Sequence, residues 1–217
     1  ISFYKYYKIP NPTWFRNYLY LHLEELGVVG RIYLALEGIN AQISLPTRNL
    51  LLFKEFLYSI SFFDQMRLNF AVEEAGISFY KLKIKIRNKI VSDGIDDPQF
   101  DPSNCGVHLN AREFNSILEN KETILVDMRN HYESEVGHFV NAITPDVVTF
   151  RESLPIIAEQ LKEYKDKPVV MYCTGGIRCE KASAYMKYKG FKDVYQLNGG
   201  IIKYAHEVQE QNLKNNF

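Results

Sequence analysis

The chain has 217 residues, 46% of them hydrophobic, and its 26 basic residues are balanced by 26 acidic ones. Such a length supplies one large or two modest cores, and zero formal charge excludes a global field for nucleic acid, so any such binding must be local. Three cysteines without paired spacing argue against a disulfide framework, no run of about eighteen apolar residues occurs, and Ile1-Ser2-Phe3-Tyr4-Lys5 lacks the order of a signal peptide; together these predict a cytoplasmic protein with no membrane segment.

An aromatic, alternating segment over residues 2–9 reads as a strand, stopped by Pro10, Asn11 and Pro12 before a helix over 13–26 that ends at Gly27 and Gly30. Residues 31–36 and 41–45 read as short strands around Glu37-Gly38-Ile39-Asn40, followed by a helix over 48–60 and a strand over 79–91. Strand, helix, strand, strand, helix, strand is the ferredoxin-like, acylphosphatase-like pattern, an open sheet with two helices on one face. In its last strand Lys81, Lys83, Lys85, Arg87 and Lys89 alternate with Leu82, Ile84, Ile86, Asn88 and Ile90, which would place five basic side chains on one face. That stripe either tracks a phosphate backbone or guards an edge strand against aggregation.

Residues 92–106, with Asp93-Gly94-Ile95-Asp96-Asp97-Pro98 and Asp101-Pro102-Ser103-Asn104, are rich in turn formers and read as a linker between a first domain over 1–91 and a second over 107–217. From there helices and strands alternate: helix 111–118, strand 124–128, helix 152–164, strand 169–172, helix 179–189, strand 194–197, helix 201–211. Alternation of this kind predicts an α/β domain with a doubly wound parallel sheet, whose ligands sit at the carboxyl ends of its strands.

Cys173 is at such an end. The run Cys173-Thr174-Gly175-Gly176-Ile177-Arg178-Cys179 leads from the apolar strand into a helix, so peptide N–H groups and the positive end of a helix dipole would surround the sulfur and stabilise a thiolate. Arg178 adds a fixed charge at the same mouth. The bland alternative is a buried structural cysteine. Phosphate-cleaving loops place about five residues between cysteine and arginine; here four intervene, a ring better suited to a terminal sulfur. Cys179 is either a resolving thiol for an oxidised or persulfidated Cys173 or a small core residue. Cys105 reads as incidental, His131-Tyr132-Glu133 has little weight as a metal site because no Pro-Cys-x-x-Cys follows, and His138 reads as a turn histidine. No metal site and no nucleotide-binding glycine motif is indicated.

The loop Cys173 to Arg178 resembles the active-site loop of rhodanese-type sulfurtransferases. Ile124-Leu125-Val126-Asp127-Met128-Arg129, Tyr132-Glu133, Gly137-His138-Phe139-Val140-Asn141-Ala142-Ile143 and Val194-Tyr195-Gln196-Leu197-Asn198-Gly199-Gly200-Ile201 extend the likeness over about residues 107–210. With Glu37-Gly38-Ile39-Asn40, the basic strand and the stretch Cys173 to Ser183, nearly the whole chain resembles the bacterial rhodanese-containing tRNA uridine hydroxylases. That resemblance implies oxygen-dependent conversion of the wobble uridine of tRNA to 5-hydroxyuridine. It further implies molecular oxygen as co-substrate, Cys173 as the reactive cysteine, Arg178 with Thr174, Gly175, Gly176 and Ile177 as its anion cradle, Asp127 and Arg129 as a supporting ion pair, His131-Tyr132-Glu133 in a surface loop, and a basic surface for tRNA. Family members often continue into a cysteine-containing tail, whereas this chain begins without methionine and stops at Phe217, which points to trimmed termini. Two alternatives stand beside this reading: a sulfurtransferase moving sulfane sulfur from a small-molecule donor through a Cys173 persulfide, and a non-catalytic RNA-binding protein.

Overall fold

A computed structural model describes residues 1–70 and 79–217, which divide into two compact units, Ile1–Val91 and Ser92–Phe217. In the first, β1 (Ser2–Tyr6), α1 (Pro12–Glu25), β2 (Val29–Ala35), β3 (Gly38–Ser44), α2 (Leu50–Ser59) and β4 (Leu82–Ile86) follow in chain order. Asn11 caps α1 by accepting a hydrogen bond from the Trp14 N–H at 3.0 Å, and Pro12 sits at the first turn, where its missing N–H costs nothing. Phe15, Leu19 and Leu23, spaced at four residues, join Phe53 and Leu57 of α2 against Ile32, Leu34, Ile39, Ala41 and Ile43 of the sheet. Each such side chain contributes about 1.5–3 kcal/mol of burial. Both helices thus cover one face, and side chains of opposite parity on β2, β3 and β4 stand on the other.

The sheet order is β1-β3-β2-β4, antiparallel except that β4 runs parallel to β2. The basic strand is therefore shorter than its alternation predicts and lies on the edge away from β1. Its register with β2 ends at Ile86, since β2 turns into the hairpin after Ala35, and one further bond runs from the Arg87 N–H to Leu34 O. Glu37 and Asn40 then grip the exiting chain at Ile90, through its N–H at 2.7 Å and its carbonyl at 3.3 Å. Part of the Glu37-Gly38-Ile39-Asn40 signature is accounted for by this clamp.

The second unit holds β5 (Val107–Leu109), α3 (Ala111–Leu118), β6 (Ile124–Asp127), α4 (His131–Ser134), α5 (Phe150–Gln160), β7 (Val169–Tyr172), α6 (Ile177–Tyr188), β8 (Val194–Leu197) and α7 (Gly200–Gln211). Its sheet is parallel throughout, in the order β5-β8-β7-β6. Val170 and Tyr172 pack with Phe114 of α3 and Tyr204 of α7 in one cluster, while the alternate residues Val169 and Met171 are equally buried on the other face. The stretch 92–106 clusters with this unit rather than hanging free. Asp93 is buried and accepts from Lys181 Nζ at 2.5 Å, and the Gly106 N–H donates to Ser183 Oγ at 2.8 Å. Among the described residues no helix is long and apolar enough to cross a membrane.

Candidate functional site

β7 carries the chain through the core and releases it at Cys173, whose side chain is fully buried. The next peptide groups are oriented by α7. Its first N–H groups are claimed by the loop: Ile201 donates to Cys173 O at 3.0 Å and Ile202 to Thr174 O at 3.3 Å. Two residues further on, the Gly176 N–H donates to Cys173 Sγ at 3.2 Å. Two glycines make this possible. Gly176 has φ of +97°, and a Cβ on Gly200 (φ +63°) would lie 2.3 and 2.4 Å from the carbonyl oxygens of Cys173 and Thr174. A Cβ at Gly175 would meet no atom within 4 Å, so the loop is open on that side.

Burial alone would raise the Cys173 thiol. It is outweighed by a hydrogen bond from the Cys179 thiol, the positive charge of Arg178 and the N–H groups of Cys179 and Gly176, which together hold it at about 6. Cys179 moves the opposite way: burial and the neighbouring Cys173 push it well up, so it is the proton donor of the pair. Cys179 is a fully buried residue of α6 whose thiol hydrogen-bonds the Cys173 sulfur.

Arg178 does not reach freely into the loop. Its Nη1 and Nη2 donate to Glu133 at 2.6 and 2.8 Å, and Nη2 also donates to Thr174 Oγ1 at 3.0 Å, while Thr174 Oγ1 donates to Glu133 at 2.9 Å. Burial raises the Glu133 carboxyl, but Arg178 and the Asn130 N–H overcome it and hold Glu133 at about 2. Glu133 thus belongs to the site and corrects its assignment to a surface loop. The signal was available, since Asn130 and Glu133 have capping-box spacing, which builds α4 and aims the carboxylate.

Beneath the loop, Arg129 Nη2 donates to Asp127 at 2.6 Å and to Gly137 O at 2.5 Å, and the Tyr172 hydroxyl donates to Asp127 at 2.8 Å. The buried pair fixes the end of β6 to β7 and to the turn at Gly137, with Asp127 opposite Tyr172, the residue before Cys173. His138 bonds locally, its Nδ1 lying 3.0 Å from Ser134 O.

In the first unit, Lys83 and Lys85 stand in β4, Lys81 and Arg87 flank it, and Lys89 lies beyond it, partly buried. The register sets Arg31 beside Lys83 and Tyr33 beside Lys85 on the face away from the helices, and the Arg87 guanidinium lies 5.4 Å from the Tyr33 ring centre. A groove of about 680 Å³ runs between α1 and β4, lined by Arg16, Tyr20 and Leu21 and by residues 81–85.

Comparison with known proteins matches residues 1–90 to the UPF0176 acylphosphatase like domain and residues 110–207 to the rhodanese-like domain. The chain is 58% identical over 214 residues to a tRNA uridine(34) hydroxylase of Photorhabdus laumondii, covering 98% of this chain and 61% of that protein. Proteins of the same name from Escherichia coli O157:H7 and Leptospira interrogans are each 53% identical, over 98% and 100% of this chain and 61% and 59% of theirs. The chain therefore spans about 60% of the length of the curated relatives it matches.

Proposed function

We propose, from the premise that this chain belongs to the family whose curated members are named tRNA uridine(34) hydroxylase, that it is the part of such an enzyme holding the reactive sulfur and a surface for tRNA. The reaction is hydroxylation of the wobble uridine to 5-hydroxyuridine, with molecular oxygen as co-substrate. The observation that carries this reading is the cradle at Cys173, a thiolate at neutral pH, open above Gly175 and buried on its other sides.

Within it, Cys173 is the group that meets the reactants, and the Gly176 N–H and Arg178 hold its negative charge. Cys179 supplies or receives a proton at the Cys173 sulfur and resolves an oxidised Cys173. Glu133 and Thr174 position Arg178; Asp127 and Arg129 position the strand ends. Lys81, Lys83, Lys85 and Arg87 bind the tRNA backbone as point charges, while Tyr33 offers a ring on the same face for an unpaired base. Nucleoside mass spectrometry of tRNA from cells lacking the full-length protein tests this. Complementation by wild type restores 5-hydroxyuridine derivatives, complementation by Cys173→Ala does not, and unchanged hydroxylation without the protein would overturn it.

A second reading, sulfur transfer from a small donor through a Cys173 persulfide, draws on the open side at Gly175, which leaves room for one more sulfur atom. Thiosulfate turnover by the protein without any loss of hydroxylated uridine in the deletion strain would move this reading to first place.

A further inference from the structure

Cys105, His108 and Glu180 lie outside the Cys173 loop, and Cys105 read alone is incidental. The fold brings three elements together: Cys105 lies two residues before β5, His108 is the middle residue of β5, and Glu180 is in the first turn of α6. One sulfur, one imidazole nitrogen and one carboxylate oxygen all lie within 4.8 Å of one another. Lys187 Nζ fastens the turn by donating to Asn104 Oδ1 at 2.6 Å and Cys105 O at 3.2 Å.

The hydrogen bonds around His108 do not close. Its Nε2 is 3.0 Å from Glu180 Oε1 and 2.7 Å from Gln196 Nε2. A protonated Nε2 suits the carboxylate but faces the amide's own N–H groups; a bare Nε2 accepts from the amide but sets its lone pair against the carboxylate. Turning the amide over moves the conflict, because Gln196 Nε2 also donates to Glu180 Oε2 at 3.0 Å and its oxygen would then face that carboxylate. A cation in front of a bare Nε2 and Glu180 Oε1 removes the repulsion between them and takes the one lone pair of Nε2, so on binding the Gln196 amide must draw back from the 2.7 Å contact with His108 while still donating to Glu180.

We infer that Cys105, His108 and Glu180 form a binding site for a divalent first-row transition ion, with zinc the best match and one position left to solvent. The donor set decides the class. A thiolate with an imidazole is too soft for magnesium or calcium, which take oxygen ligands, and suits zinc with bonds of about 2.0–2.3 Å. Partial exposure of His108, at 41%, keeps the fourth position accessible. On binding, Cys105 exchanges its S–H bond for a sulfur–metal bond and releases the proton. Gln196, held by the Ser183 hydroxyl at 3.2 Å, orients the carboxylate from behind.

Cobalt(II), added to the metal-free protein, is the probe. The expected result is one equivalent bound with tetrahedral d–d bands and a sulfur-to-cobalt charge-transfer band, with zinc displacing both. Cys105→Ser should remove the charge-transfer band, and Cys105→Ser and His108→Asn should each weaken binding more than about 100-fold, beyond the range of outer support residues; Gln196→Leu should weaken it about tenfold. Cys173→Ala should leave the spectrum intact. Circular dichroism melting confirms that each variant is folded, and His108→Asn, at an exposed position, keeps the test alive should Cys105→Ser fail to fold. Absence of the bands in wild type, their persistence in both ligand variants, or their loss in Cys173→Ala overturns the inference.

Discussion

In the first unit the groups available for chemistry are side chains. Lys83, Lys85 and Arg87 project from an edge strand, each exposed and separately removable. In the second unit the groups around Cys173 include the peptide N–H groups of Gly176 and Cys179, set by a turn whose carbonyls at Cys173 and Thr174 are bound by Ile201 and Ile202. Side-chain chemistry of the first kind divides into increments, whereas backbone chemistry of the second kind belongs to a turn that holds or fails as a whole. The first kind suits recognition of a repeating charge, the second activation of a single atom.

That contrast can be broken most forcefully from beneath the helix that carries the loop. Asp93→Ala takes the buried carboxylate away from the Lys181 ammonium inside α6, and should lower stability by about 3–5 kcal/mol in urea unfolding; a loss below about 1 kcal/mol would mean that α6 does not depend on the segment before it. Next in size is the ionisation of Cys173. Haloacetamide alkylation of that residue should rise through a midpoint near 6, and at that pH its thiolate fraction exceeds that of an ordinary cysteine on the order of 100-fold. A midpoint near the usual thiol value would show that the N–H groups are not aimed as described.

Gly200→Ala tests the same backbone from the other side. The added carbon meets two carbonyl oxygens, so the variant should lose more than about 2 kcal/mol and shift the Cys173 alkylation midpoint upward together, since one turn carries both. In the first unit the corresponding changes should separate cleanly. Lys83→Ala and Lys85→Ala should each reduce the slope of log affinity for tRNA against log salt by about 0.7–0.9, additively and without loss of melting temperature; a single substitution that removed all binding would erase the contrast between the units.

The smallest effect is at Glu133. Its carboxyl is held at about 2 in the folded chain, below the ordinary carboxylate value, so its stabilisation is fully present above about pH 4.3 and fades as pH falls toward 2. Glu133→Gln should therefore melt below wild type at neutral pH, with the gap closing under acid. A gap independent of pH would assign the loss to packing.

What was legible in the sequence follows the same division. Periodicity revealed the apolar faces of α1 and α2 and the parallel β7 with Cys173 at its end, because local spacing determines them. It overran at the basic stripe, where alternation continues to Lys89 but the partner strand does not. It missed β5, three residues long and held by the neighbouring β8, and it missed the pairing of Glu133 with Arg178, which joins residues 45 apart. Asp93 read as a turn former, and it does accept from the Ile95 N–H at 2.9 Å as such residues do. Its burial comes from Lys181, a partner no local pattern announces.

The bonds from Ile201 and Ile202 to the loop carbonyls also make the sulfur visible from a distance. The carbonyl oxygens of Cys173 and Thr174 are held by these two N–H groups, so a change of charge on the adjacent sulfur polarises both peptide groups and alters the bonds they accept. The amide resonances of Ile201 and Ile202 are thus natural spectroscopic reporters of whether Cys173 is protonated, ionised or covalently occupied, read without labelling the cysteine.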